Sequence, residues 1–518
     1  MAIGTNAKRC VFLIHRWTGV GMCILLALWF GSGIVMLFVG YPKLTPWERL
    51  GALPPLAHPN CCISPEAALA HSSKPEDVRE IVLTSIRNTP HYVLREGDGS
   101  HTVIDALNGT SQSRVNGDVA LAGAKAFMPD ALSQYVGSIQ EDRWTHSRGL
   151  DSHRPLHMIQ MHDAESTRVY VSSATGQVVL DLPRYERLWN YAGAWLHWLY
   201  MLRNQSVDPV WTWTVIVISA IGVLTALTGV LNGIWRWRFS GVYKNGGKSP
   251  FRDAAMRWHH VLGLSFGTVL FLWIFSGLMS MNPLGIFDAK QLKPDAARYH
   301  GGSPAMLRPI VDITDALSRL TAEKFEPREL EWRVLNGTPY IVARDGTGDT
   351  RLLLSARGGI TTTTSWSEQD ITDAAMNLFA APVSSHEKIE YYDLYYYKRA
   401  EASMYGSNER KLPVIRFKYD DPEETWVYVD MHTGRVELSV DRSQRLGRWL
   451  FNLMHSWDLP ALLDARWWRE ILLVLLSLGG FVLSSTGLVI SVRRIKQWIR
   501  QANPDKAIET GPGHARKP

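Results

Sequence analysis

At 518 residues the chain is long enough for roughly three or four ordinary domains, yet 46% of it is hydrophobic and only 20% is charged. The net charge of +6 is modest and sits beside apolar segments, which suits a membrane surface and excludes a nucleic-acid partner. Four cysteines exclude a disulfide-stapled scaffold, and 21 tryptophans suit indoles at lipid headgroup level.

In chain order, residues 11–40 form an apolar segment longer than the ~20 residues that cross a bilayer as a helix. It is too long for a signal-peptide core and lacks an A-x-A-like cleavage site, so it reads as a retained first transmembrane helix. Residues 42–210 read as a soluble α+β domain. Ser64-Pro65-Glu66 opens a helix, alternating runs at 79–85, 91–95 and 101–105 read as strands, and Asn108-Gly109 is a hairpin turn signal. A helix is expected over 118–135, then strands near 155–162, 167–172 and 177–181. A second transmembrane helix covers 211–236, a basic loop 237–257, and a third helix 258–282. Residues 283–468 repeat the α+β pattern. Helices are expected near 312–321 and 368–379, and strands near 328–334, 340–344, 351–354, 413–419, 425–430 and 435–438. The fourth transmembrane helix covers 470–493. Residues 494–518 are a tail, polar and disordered in expectation from Asn503 to Pro518.

Basic residues set the orientation. Lys8, Arg9 and Arg16 flank the first span, Arg236, Arg238, Lys244, Lys248, Arg252 and Arg257 the loop, and Arg493, Arg494, Lys496 and Arg500 the fourth span. The positive-inside rule makes these regions cytoplasmic. Both α+β segments then lie in a bacterial periplasm, and the chain is a multi-pass inner-membrane protein.

The two halves align. The run from Thr167 to Val178 matches the run from Thr425 to Val436, and the same register pairs His197 with His455 and Thr228-Gly229 with Thr486-Gly487. At a slightly shorter offset His15 pairs with His259, Gly19 with Gly263, and Ser32-Gly33 with Ser276-Gly277. The expected fold is a membrane α+β protein: a four-helix bundle from two parallel internal repeats, each with a periplasmic domain.

Each half thus has one histidine at the cytoplasmic side, His15 or His259, and one at the outer side, His197 or His455. A pseudo-twofold axis along the membrane normal brings equivalent residues face to face. Two imidazoles facing across a bundle are what six-coordinate haem iron takes as axial ligands. The plainer reading of any one of them is an interfacial histidine; the fourfold placement favours ligation of metal. His260 is an alternative to His259, although the glycine register favours His259. His15 to Gly33 and His259 to Gly277 are each 18 residues, so ligand and glycine share a helix face ~27 Å apart along the axis. Gly33 and Gly277 belong to the outer layer, Gly229 and Gly487 to the inner. A glycine lets a flat porphyrin approach the backbone; equally, Ser/Thr-Gly pairs permit close helix packing. Arg16, Arg236, Arg238 and Arg257 are candidates for neutralising propionates, or plain positive-inside anchors.

The motif His15-Arg16-Trp17-Thr18-Gly19, with Leu196-His197 before the second helix and Thr228-Gly229 late in it, resembles the PepSY-associated transmembrane helix family. That family includes iron-regulated inner-membrane proteins and ferric-siderophore reductases. The likeness covers most of residues 10–495, with PepSY-like exterior domains carrying an acidic hairpin at Asp420-Asp421. It implies haem b in the membrane, here two, and electron delivery to a periplasmic ferric complex such as a ferric siderophore. The donor would be a cytoplasmic protein or quinol. Ser32-Gly33 and Ser276-Gly277 depart from the Thr-Gly pattern. The alternative is a haem-free PepSY protein that senses a partner or inhibits a peptidase.

Other candidates are weaker. His146, His153, His157 and His162 form a His-rich stretch that reads as strand surface or an iron site, and Tyr391 to Tyr397 as an aromatic strand or a siderophore platform. Cys61-Cys62 suits a vicinal disulfide or a metal site but has no counterpart at the repeat position, and reads as incidental. Nucleotide-binding and hydrolase motifs are lacking.

Overall fold

The computed structural model describes residues 4–502 apart from 57–60, 73, 113, 206, 292, 303–311, 357–358, 402, 404–405 and 407–408. The expected tail from Asn503 to Pro518 lies outside the described residues. The chain forms two compact units: a helical one (Met1–Phe38, Ala192–Ile286 and Gly447–Pro518) and a sheet one (Val39–Tyr191 and Phe287–Leu446).

Four long helices make the helical unit: α1 (Thr5–Met36), α2 (Pro209–Arg236), α3 (Ala254–Ser280) and α4 (Arg466–Ala502). Each is long and apolar enough to cross a membrane, so this is a membrane protein. Asp208 and Asp253 cap α2 and α3, accepting from the backbone N–H of Trp211 and Met256. α1 packs on α2 and α4, and α3 packs on the same two, which leaves α1 and α3 facing across a diagonal. The middle of the bundle is filled by Met22, Leu26, Phe30, Leu270, Trp273 and Leu483. Gly480 on α4 makes room for the Phe30 ring: a β-carbon there would lie 2.6 Å from it.

The sheet unit holds fifteen strands: β1 (Val78–Ile86), β2 (Thr89–Glu96), β3 (His101–Asp105), β4 (Leu132–Ile139), β5 (Leu156–His162), β6 (Arg168–Ser172), β7 (Val178–Leu182), β8 (Glu329–Leu335), β9 (Thr338–Arg344), β10 (Thr350–Ala356), β11 (Gly359–Thr363), β12 (Val383–Ile389), β13 (Val414–Tyr419), β14 (Trp426–Asp430) and β15 (Val436–Val440). The sequence separates two exterior domains, but their first strands share one seven-stranded antiparallel sheet, ordered β11-β10-β9-β8-β1-β2-β3. The junction pairs β1 with β8, setting Ile81 opposite Trp332 and Leu83 opposite Leu330, all buried. Two four-stranded sheets, β4-β5-β6-β7 and β12-β13-β14-β15, complete the unit. Helix Gly117–Phe127 packs on the first of these and helix Glu368–Ala375 on the second. Each small sheet turns through a Thr-Gly pair whose glycine is left-handed, Gly176 at φ 77° and Gly434 at φ 67°.

Three local expectations are corrected. The helix expected over 118–135 stops at Phe127 and residues 132–139 become β4, because Pro129 disfavours helical backbone at Met128. Asn108-Gly109 makes a turn that closes only a single bridge, Ile104 to Ser111. The tyrosine run is irregular: the Asp393 carboxylate accepts from the backbone N–H of Tyr395 and Tyr396 at 2.8 and 2.6 Å, and Tyr396 is buried, stacked on Tyr428. Cys61 and Cys62 form a vicinal disulfide.

Candidate functional site: two facing histidine pairs

His15 lies one-third of the way along α1 and His259 in the second turn of α3, on helices that face across the diagonal. Their ring centroids are 6.2 Å apart. His197 and His455 come from short segments ahead of α2 and α4, and their centroids are also 6.2 Å apart. Both segments use the same local devices. A π-helical turn precedes each histidine, Tyr191–Trp195 and Arg448–Leu453. Two residues beyond each histidine the backbone is left-handed, at Leu199 (φ 54°) and Trp457 (φ 52°). Such conformations cost about 1–3 kcal/mol at a non-glycine residue and gather at ligand clamps.

The Ser/Thr-Gly pairs are seats for these imidazoles. Gly33 receives His197 and Gly277 receives His455, with a hypothetical β-carbon 3.7 and 3.6 Å from the ring Cε1. Gly487 receives His259 at 3.4 Å and Gly229 receives His15 at 2.7 Å, so close that a β-carbon at Gly229 would force the ring to shift. The neighbouring oxygen engages Nδ1. Ser32 Oγ is 3.1 Å from His197 Nδ1, Ser276 Oγ 3.1 Å from His455 Nδ1, and Thr486 Oγ1 3.0 Å from His259 Nδ1. At the fourth seat the Thr225 carbonyl, 3.0 Å away, takes this role for His15. α1 and α2 therefore seat each other's histidines, as do α3 and α4, while the facing pairs join the two halves.

The four glycines thus lie against the imidazoles, and Gly229 and Gly487 also line the cavity beside the first pair. This cavity, of about 210 Å³, is lined as well by Gly19 and Gly263, one turn beyond His15 and His259. A β-carbon at Gly19 would meet nothing within 4 Å. The charged residues lining it are Arg16, Arg236 and Arg494. Of the arginines singled out in the sequence, Arg16 and Arg236 line the cavity. Arg238 instead stacks on Tyr243, 4.1 Å from its ring, and Arg257 is exposed. Arg494 was missed as a lining residue; its place one turn beyond Ile490 on the cavity face of α4 was the available signal. Buried in the same wall, the Arg16 Nε has no hydrogen-bond partner among the described residues.

These residues fit haem. Metal–imidazole bonds of about 2.0 Å, plus about 1.1 Å from each nitrogen to its ring centre, set two rings on one metal about 6.2 Å apart. The orphaned Arg16 Nε and the two arginines beside it suit carboxylates at the rim of the same cavity. His260 is committed elsewhere: its Nδ1 is 2.8 Å from Ser249 Oγ and its Nε2 2.9 Å from the Gly233 carbonyl. His259, not His260, faces His15.

The exterior histidines are not brought together. His146 pairs with Glu141, His153 stacks on His101 with centroids 5.3 Å apart, His157 bonds Tyr135 and the Val115 carbonyl, and His162 bonds Gln134. Among the described residues no cluster of three or more metal-ligating side chains occurs.

No curated protein matches the chain. The family model of the PepSY-associated TM region matches residues 12–494, from the turn of α1 that precedes His15 to the cavity arginine of α4. With nearly its whole length covered, the chain belongs to the PepSY-associated TM region family.

Proposed function

We propose that this protein is a haem b membrane reductase that moves electrons across the bacterial inner membrane to a periplasmic ferric complex, a ferric siderophore. The observation that carries this reading is the pair of 6.2 Å separations, repeated at two places in one bundle. Haem b at each pair supplies one-electron Fe(III)/Fe(II) chemistry. His15 and His259 would hold the inner group, with Arg16, Arg236 and Arg494 available to counter its carboxylates; His197 and His455 would hold the outer group. The apolar side chains between the two layers exclude water from the path. A cytoplasmic protein or quinol is the donor. On the outside, reduction of Fe(III) to Fe(II) lowers the charge density that hard oxygen chelators grip, and the iron is released.

The orientation rests on the basic residues at the cytoplasmic ends of the four helices, with the sheet unit in the periplasm. The matching π turns, left-handed residues, seats and Thr-Gly turns support an origin by duplication of one span–domain–span unit.

An absorption spectrum of protein purified from haem-replete cells tests the reading. The expected result is a Soret band with α and β bands on dithionite reduction, and loss of about half the haem in His15→Ala or His455→Ala, since each variant removes one of two bis-histidine sites. A colourless, folded preparation overturns it.

A further inference from the structure

Three of the four imidazoles face a hydroxyl whose own proton is already committed. Ser32 Oγ donates to the Leu28 carbonyl at 2.7 Å, Ser276 Oγ to the Trp273 carbonyl at 3.0 Å, and Thr486 Oγ1 to the Leu483 carbonyl at 2.6 Å. A hydroxyl has one proton to give. With it directed at the helix backbone, the oxygen offers only lone pairs to Nδ1 of His197, His455 and His259; His455 Nδ1 also lies 3.3 Å from the Trp273 carbonyl, a second acceptor that asks for the same tautomer. Nδ1 must then carry the imidazole proton, and Nε2 carries the lone pair. Helical serines and threonines often bond back to the preceding turn; here the same oxygen also receives a ring N–H at three equivalent places.

We propose that Ser32, Ser276 and Thr486 are positioning residues that fix the Nδ1–H tautomer of His197, His455 and His259 and set how strongly these imidazoles donate to bound iron. The proposal rests on the two-haem reading. An imidazole whose N–H is held by an acceptor is a more basic ligand. A more basic ligand favours ferric over ferrous iron and so lowers the reduction potential. The onward bond to a carbonyl polarises the hydroxyl and strengthens its grip on Nδ1. Simple packing asks only for a small side chain at these positions and gives no such dependence.

The test compares full-length Ser32→Ala/Ser276→Ala and Ser32→Thr/Ser276→Thr proteins from haem-replete cells. Haem per chain, midpoint potentials by dithionite titration, and low-temperature electron paramagnetic resonance of the ferric protein are measured. The alanine pair is expected to raise one of the two potentials and shift one low-spin signal, and the threonine pair to restore both. If the alanine pair instead sheds one haem, retention in the threonine pair supports the same role. Wild-type potentials and spectra in a fully loaded alanine pair overturn the proposal. So does a threonine pair that behaves like the alanine pair. A colourless wild-type protein removes the two-haem reading and this proposal together; a loaded protein with unmoved potentials removes this proposal alone.

Discussion

The segment that carries His197 and the segment that carries His455 reach one geometry through different chemistry. Both run from a π turn through the histidine to a left-handed residue, and both rest on a Ser-Gly seat. In each, a side chain 14 residues beyond the histidine holds the carbonyl of the residue that follows it. In the first segment this is the Trp211 indole, whose Nε1 donates to the Trp198 carbonyl at 2.9 Å within a cluster of Tyr200, Trp198 and Arg203. In the second it is the Arg469 guanidinium, which donates to the Ser456 carbonyl at 2.6 Å and pairs at 3.2 Å with fully buried Asp458. Arg448 joins that group by donating to the Asp458 carbonyl at 2.6 Å. The difference teaches that the imidazole's position and seat are the fixed requirement, while the means of anchoring the backbone is free to vary.

The comparison breaks most visibly at Asp458. Asp458→Ala leaves two arginines buried without their carboxylate, a loss of about 3–5 kcal/mol. Thermal unfolding in detergent should fall accordingly, with haem lost from the His197–His455 site before the other. Equal loss from both sites would show that the charged cluster does not belong to one histidine. Next in size is Gly229→Ala. Its new methyl would press on the His15 ring from 2.7 Å, an overpacking cost of about 1–3 kcal/mol, and should deplete the His15–His259 haem. Gly33→Ala, whose methyl would sit in ordinary contact 3.7 Å from the His197 ring, should retain full haem; depletion in both would mean that the seats are equally tight. The smallest effect is expected from Trp211→Phe, which removes one hydrogen bond worth about 1 kcal/mol while keeping most of the aromatic contact. A loss as large as that of Asp458→Ala would contradict the idea that the indole and the charged cluster differ in energetic weight.

Much of this was legible in the sequence, for physical reasons that differ by region. The apolar spans stand out because a bilayer demands a long uninterrupted run. The histidine pairing could be expected because residues that match between the halves would meet about a twofold axis, and the rings of His15 and His259, and of His197 and His455, do lie 6.2 Å apart. The glycines could be located but not assigned a partner, since nothing in Ser32-Gly33 says that the imidazole of residue 197 will rest there. The seven-stranded sheet was hidden because the β1–β8 pairing joins residues some 250 apart in the chain, such as Ile81 and Trp332, and leaves no local pattern. β12 was missed for a different reason: as an edge strand with a mostly exposed, polar run from Ser384 to Lys388, it lacks alternation. The end of the helix at Phe127, short of the expected 135, is signalled in the sequence by Pro129, which disfavours helical backbone at Met128.

The four helices resemble a square frame whose neighbours pack side by side, and Phe30 of α1 meets Trp273 of α3 across the middle with ring centroids 5.8 Å apart. An iron held by His15 and His259 would add a second strut across that diagonal, and one held by His197 and His455 would tie together the segments leading into α2 and α4. Ligand in hundredfold excess over its dissociation constant stabilises the folded state by about 2.7 kcal/mol. Stiffness of the frame would then follow haem supply, so that chains made during haem shortage are the softer ones and the first exposed to proteolysis.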